Sequence, residues 1–296
     1  MISLLLLPKM SYIMRTMRKY IFLDIDGTLF STSIGRIPDS ALTAMELARK
    51  NGHKLFLCTG RSLAEVVKYL NADVDGFILG AGSMVYAEGK RIYDHPIDAS
   101  EIARIKHTVH SFGLGYSLEG TAGAYCSPDG YESLLKYFSG GSTDRKKQIA
   151  RCNANCTYPE TFGSEESDSI YKVCAFGTAW EPIYPKLAAA LEHPFILTKV
   201  MELKDFVIGE ITDRNISKAN GIEQILAHYN AEEFDAVGIG DSANDIPMLK
   251  KCGISVAMGN SSPETKEAAQ YVTSDILHHG IWNAFVHYGI IEGEEK

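Results

Sequence analysis

At 296 residues the chain is long enough for two domains, at least one of them with a substantial hydrophobic core. An apolar fraction of 45% and a charged fraction of 22% exclude a disordered chain and a coiled coil. The net charge of −8, with no basic stripe to offset it, argues against nucleic acid as a partner.

At the start of the chain, Ile2 and Leu4 to Leu7 form an apolar stretch too short to cross a membrane. No basic region precedes it and no small-residue cleavage site follows, so neither a span nor a secretion signal is expected. Met17-Arg18-Lys19-Tyr20 leads straight into a strand, which puts the expected natural start near Met17 and makes residues 1–17 a poorly ordered extension. Tyr20–Leu23 reads as a buried strand that ends in Asp24-Ile25-Asp26-Gly27-Thr28-Leu29. Side chains alternate across a strand, so Asp24 and Asp26 point the same way. Adjacent carboxylates repel and call for a cation or a shared proton. Gly27 allows a sharp turn, and Thr28 is expected to bond back to the local backbone.

A helix follows from Pro38-Asp39-Ser40, with Leu42, Met45, Leu47 and Ala48 near one face, and stops at Gly52. Lys54–Cys58 is the second strand. Ser62 and Glu65 make a capping box for a helix carrying Leu63, Val66, Val67 and Leu70, and Gly76–Leu79 is the third strand. This alternation predicts a parallel sheet with helices on both faces. From about Ser83 to Glu210 the pattern changes. Strands at Arg91–Tyr93, Gly115–Leu118 and Ala124–Cys126 surround a helix over Glu101–Phe112. Strands at Tyr171–Phe176, Ile196–Met201 and Phe206–Ile211 flank a helix over Tyr184–Leu191. Gly140 to Ser169 is polar and without period, and no element is predicted there. The doubly wound pattern resumes near Ser217 with a helix bearing Ile222, Ile225, Leu226 and Tyr229. The strand Ala236–Gly240, a helix after Asp245 and the strand Ile254–Met258 follow. The predicted fold is therefore a doubly wound, Rossmann-like α/β core of residues 18–82 and 211–296, with an inserted α+β domain of residues 83–210 that closes over it.

The cysteines stand at 58, 126, 152, 156, 174 and 252. Cys152-x3-Cys156 has neither a second pair nor a histidine cluster to complete a zinc site, so thiols in a reducing cytosol and a cytoplasmic location are expected.

Three strands end in polar signatures: Asp24, then Thr59-Gly60-Arg61, then Asp241-Ser242-Ala243-Asn244-Asp245. In an open parallel sheet the carboxyl ends of the strands line one crevice, where ligands bind. Lys218 adds a cation in the first turn of its helix, against the dipole, which suggests an anion that needs it. These residue types suit Mg²⁺-assisted phosphoryl chemistry. Asp24 is the candidate nucleophile and Asp26 the candidate general acid and base. The Asp24 and Asp241 carboxylates and the Asp26 carbonyl are the candidate Mg²⁺ ligands, with Asp245 direct or through water. Thr59, the backbone at Gly60, and Lys218 are candidates for holding phosphate, with Asn244 bracing them.

Asp24-x-Asp26-Gly27-Thr28, Thr59-Gly60-Arg61, Lys218 and Gly240-Asp241-x-x-Asn244-Asp245-x-x-Met248-Leu249 resemble the four ordered motifs of the haloacid dehalogenase (HAD) superfamily. Val256-Ala257-Met258-Gly259-Asn260 and Gly280-Ile281 resemble its Cof-type branch, with a class IIB cap inserted between motifs two and three. The resemblance implies a Mg²⁺-dependent phosphomonoester hydrolase acting through an aspartyl-phosphate on a small phosphorylated metabolite such as a sugar phosphate. A sugar phosphomutase and a low-turnover phosphometabolite-binding protein are the alternatives. A monomer or small homo-oligomer, with no membrane partner, is expected. Ala81-Gly82-Ser83 departs from the Asn-Gly-Ala common in the family, as Ser261 does from a small apolar residue. Other readings are weaker: Gly35 occupies the twelfth position where a calcium loop starting at Asp24 needs a glutamate, and Gly238-Ile239-Gly240 lacks the third glycine of a dinucleotide loop. In the insert, Glu119, Tyr125, Lys172 and Lys199 either touch substrate or serve the structure.

Overall fold

The computed structural model describes residues 18–66, 73–121, 123–155, 168–178, 181–191, 193–203 and 206–296. The expectations for residues 1–17, Val67, Leu70 and Cys156 lie outside the described residues.

In chain order, β1 (Tyr20–Leu23), β2 (Lys54–Cys58), β3 (Gly76–Leu79), β4 (Met84–Ala87) and β5 (Lys90–Asp94) come first. Then follow β6 (Gly115–Gly120), β7 (Ala124–Cys126), β8 (Ile170–Gly177), β9 (Phe195–Leu203) and β10 (Phe206–Asp213). The last are β11 (Ala236–Gly240), β12 (Ile254–Ala257) and β13 (Tyr271–Val272). They form an eight-stranded sheet in the order β13-β12-β11-β1-β2-β3-β4-β5 and a five-stranded sheet in the order β7-β6-β8-β10-β9. The described residues divide into two compact units, one from residues 18–60, 73–94 and 217–296, the other from the described parts of 61–66 and 95–216.

In the first unit β1 pairs in parallel with β2 on one side and β11 on the other, so the strand order reverses between β1 and β11. β1 and β11 are buried along their whole length and β2 from Leu55 onward, which is why they read as unbroken apolar runs. Tyr20 and Phe22 pack against Phe56 and Ile78, and against Ile222, Ile225 and Leu226 of the helix Lys218–Tyr229. The helix Asp39–Lys50 buries Ala41, Ala44, Met45 and Ala48, while Leu42 is exposed. Alanines at i, i+3 and i+7, with Met45 at i+4, form its apolar stripe rather than the leucines.

The partition at residue 83 needs correction. β4 and β5 run antiparallel on the edge of the eight-stranded sheet, so Met84–Asp94 stays with the core. The reversal is made by Gly80, Ala81 and Gly82, all with positive φ. Ala81 stands at φ 55, a left-handed conformation that asparagine adopts more readily than alanine. The strand expected at Arg91–Tyr93 is thus an edge strand of the core sheet.

The second unit holds the antiparallel five-stranded sheet. One of its faces carries Leu118, Val173, Ala175 and Val207 in a core with the helices Ala99–Ser111 and Tyr184–Leu191. The other carries Cys174, Phe176 and Phe206 against Tyr131 and Leu135 of the helix Pro128–Phe138. That helix, capped by Ser127 with Pro128 at its first turn, was legible as a start signal but was not predicted. The helix Arg145–Asn155 also falls where no element was predicted: among the described residues it gives the core Ile149 and Cys152.

Candidate active site

β1 delivers Asp24 to the point where the strand order reverses, and the Asp24 N–H donates to the Ile239 carbonyl of β11 at 3.0 Å. Alternation puts Asp24 on the same face as Phe22, and that face is covered by the helix whose first residue is Lys218. Core packing therefore lowers the Lys218 ammonium onto Asp24. Lys218 is fully buried, and its Nζ reaches Asp24 Oδ1 at 2.5 Å and Asp245 Oδ1 as well. A cation against the helix dipole is tolerated because two carboxylates receive it.

Beyond Asp24 the chain turns tightly, with the Ile25 carbonyl accepting from the N–H groups of Leu29 at 2.9 Å and Phe30 at 2.6 Å. Gly27 takes φ +87, and a Cβ there would collide with the Asp241 carboxylate, so only glycine allows this approach. Asp26 follows Asp24 as a half-buried residue. The expected role of Thr28 is corrected: its hydroxyl donates to Asp241 Oδ1 at 2.9 Å rather than to local backbone. β11 supplies Asp241 directly after Gly240. Asp245, buried in the next turn, accepts the N–H groups of Asp241 and Ser242 on Oδ2, each at 3.0 Å.

Carboxylate oxygens of Asp24, Asp241 and Asp245 thus lie within 4.8 Å of one another. Burial pushes Asp24 well above the usual carboxylate range, and Asp245 adds to this, while Lys218 opposes it. Burial alone would lower Lys218, yet Asp24 and Asp245 outweigh it and hold the ammonium above its ordinary value. Asp241 is pushed up to about 6, by burial first and by Asp245, against the Thr28 hydrogen bond. Three crowded carboxylates facing one ammonium, all offering oxygen, form a group that can hold a hard divalent cation.

Thr59 is buried at the end of β2, where its N–H donates to Ile78 and its carbonyl accepts from Ala81, each at 2.9 Å, with Gly60 half-buried beside it. Asn244 is exposed and accepts the Ser242 hydroxyl at 2.7 Å. One contact that sequence reasoning missed is Asn260 Nδ2 donating to the Gly27 carbonyl at 2.8 Å, although Asn260 stood in a motif already singled out.

In the second unit, Lys172 is paired with Glu210 at 2.7 Å and Glu119 at 3.2 Å, and the Cys174 thiol donates to Glu119 at 3.2 Å. Tyr125 donates to Asp168 at 2.9 Å, and Lys199 is exposed. A cavity of about 850 Å³ lined by Arg49, Lys50, Lys54 and Asp75 lies at the amino ends of the core strands. Its charges are paired internally, Lys54 with Asp75 at 3.0 Å and Lys50 with Glu46 at 2.6 Å, so it has no evident call for a charged ligand. Cys58, Cys126, Cys152, Cys174 and Cys252 are buried thiols. Among the described residues no helix is long and apolar enough to cross a membrane.

A profile of the haloacid dehalogenase-like hydrolases matches residues 21–285. YkrA of Bacillus subtilis (strain 168) is 28% identical over 283 residues, covering 93% of this chain and 99% of that protein. The phosphatase YwpJ of the same organism is 25% identical over 289 residues, covering 91% and 99%. Among solved structures, the HAD subclass IIB sugar phosphatase BT4131 superposes with a TM-score of 0.72 at 27% identity, covering 92% of this chain and 100% of that one.

Proposed function

This chain belongs to the haloacid dehalogenase-like hydrolase family, and from that premise we propose that it is a Mg²⁺-dependent phosphomonoesterase working through an aspartyl-phosphate. One observation carries the reading: Lys218 is shared between Asp24 and Asp245 beside a third carboxylate, Asp241. Such a cluster is costly to bury unless a cation completes it, and a cation held there would in turn receive an anionic substrate.

Asp24 attacks phosphorus and the bond to the ester oxygen breaks. Asp26 gives its proton to the departing alcohol, then takes one from the water that attacks the aspartyl-phosphate, releasing inorganic phosphate and restoring Asp24. Lys218 holds Asp24 in place and offsets the charge that builds on the phosphoryl oxygens, helped by Thr59 and the backbone at Gly60. Asp245 holds Lys218 and the Asp241 and Ser242 N–H groups, which makes it a brace for the site. Asp24, Asp241 and the Asp26 carbonyl would hold Mg²⁺, which would supply Lewis-acid neutralisation of the phosphoryl oxygens. The substrate is a small phosphorylated metabolite, and likeness to a sugar phosphatase supports a sugar phosphate.

The test is phosphate release from a panel of sugar phosphates, nucleotides, pyridoxal phosphate and flavin mononucleotide. Release from at least one of them, lost in chelator and restored by Mg²⁺, is expected. Release undiminished by chelator would refute the metal role, and phosphate returned to substrate without release would favour a mutase.

The carboxylates also predict a pH dependence. Asp241 sits at about 6 in the folded protein against roughly 4 unfolded, so the folded state binds the extra proton between those values. Its contribution to metal-free stability is present at low pH and is lost as pH rises from about 4 to about 6. Mg²⁺ binds the ionised form. The melting temperature should therefore rise more on adding Mg²⁺ at pH 7 than at pH 5, and an equal rise at both would contradict this account.

A further inference from the structure

Asn260 lies on the exposed side of the loop after β12, 233 residues from Gly27, and its amide is used at both ends. Nδ2 donates to the Gly27 carbonyl at 2.8 Å, and Oδ1 accepts the Ile276 N–H at 3.0 Å. The Ile276 end is firmly held: Gly259 N–H donates to the Ser274 carbonyl at 3.0 Å, the Thr273 hydroxyl to the Gly280 carbonyl at 2.8 Å, and Asn283 Nδ2 to the Ser274 hydroxyl at 2.8 Å. The Gly27 end is the part that needs holding. Gly27 stands at positive φ, and the N–H of the Gly27–Thr28 peptide donates to the Ile25 carbonyl at a long 3.4 Å, so the 2.8 Å bond from Asn260 is the shorter hold on that peptide. Any rotation of that peptide moves Thr28, whose hydroxyl holds Asp241 Oδ1 at 2.9 Å.

We propose that Asn260 is a positioning residue for the metal site: by pinning the Gly27 carbonyl it keeps the Thr28 hydroxyl on Asp241 and so sets the affinity for the divalent cation. This rests on the Mg²⁺ reading given above. Asn260 is exposed and fills no core space, so a purely structural role predicts at most a small loss of stability and no change in metal affinity when it is truncated. Partners behind metal ligands, by contrast, tune metal affinity.

The test uses the full chain stripped of metal and titrated with Mg²⁺ alone, following the melting temperature without substrate. Four proteins are compared: wild type, Asn260→Ala, Thr28→Val and the double variant. Asn260→Ala should raise the midpoint Mg²⁺ concentration about three- to tenfold, the size of one lost hydrogen bond, while the metal-free melting temperature barely moves. Thr28→Val should raise it too, and the double variant should match Thr28→Val, because Asn260 acts through Thr28. An unchanged midpoint in Asn260→Ala, or additive effects in the double variant, overturns the proposal. A wild type whose melting ignores Mg²⁺ overturns the metal reading itself, and the positioning role with it.

Discussion

Asp24→Asn should lower phosphate release by at least about 10⁴-fold on every substrate that the wild type turns over, the scale seen when a nucleophile is removed from an acting group. The amide has nearly the same shape and keeps an oxygen to accept from Lys218, so the fold should stand. What it loses is the anionic oxygen that attacks phosphorus. Stability should move the other way. Burial and the neighbouring Asp245 make ionised Asp24 unfavourable in the folded protein, so a neutral amide should leave the metal-free melting temperature unchanged or higher. Activity lost while stability is kept marks a residue retained for chemistry. A variant that keeps activity within tenfold of wild type would rule out Asp24 as the nucleophile.

Lys218→Met should damage both properties. The substitution leaves Asp24 and Asp245 buried, close together and without the ammonium that both now contact. Breaking a buried pair by removing one partner costs about 3–5 kcal/mol. In a protein of this size that is a fall of roughly 6–20 °C in melting temperature at pH 7. The fall should be smaller at pH 5, because burial holds Asp24 well above the usual carboxylate range and its protonation relieves the repulsion, and Mg²⁺ should recover part of the stability. Activity should drop by at least about 10²–10³-fold even with Mg²⁺ present, because the charge on the phosphoryl oxygens loses a preorganised partner. Melting within 1 °C or so of wild type at pH 7 would contradict the electrostatic account of the cluster.

Much of the site was legible before any coordinates. Asp24 and Asp241 each follow an apolar run, and Lys218 opens a helix against its dipole. The geometry of Asp245 was not legible: its place after Gly240-Asp241 suggested a metal ligand, and the structure adds that it grips Lys218 and two backbone N–H groups. Lys172 was similarly ambiguous, because an isolated lysine in a strand reads as exposed, and only the sheet register brings Glu119 and Glu210 to it. Residues 84–94, with a strand expected at Arg91–Tyr93 alone, were assigned to the insert because a break in alternation looks like a domain boundary. An antiparallel edge on a parallel sheet breaks the same pattern without leaving the domain.

The sequence by itself determined the doubly wound core, the strand ends that carry polar residues and the cation set against its dipole. Each depends on near neighbours: the period of side chains along a strand, the apolar run that buries it, the unpaired groups at a helix terminus. Tertiary structure alone decided that Thr28 holds Asp241 across 213 residues and that Asn260 holds Gly27 across 233. Those partners meet only because core packing fixes the register of β1 against β11 and β12 behind it, and a hydrogen bond needs its two atoms within a few tenths of an ångström. Local pattern specifies which elements form; the placement of one loop against another comes from the sum of the packing between them.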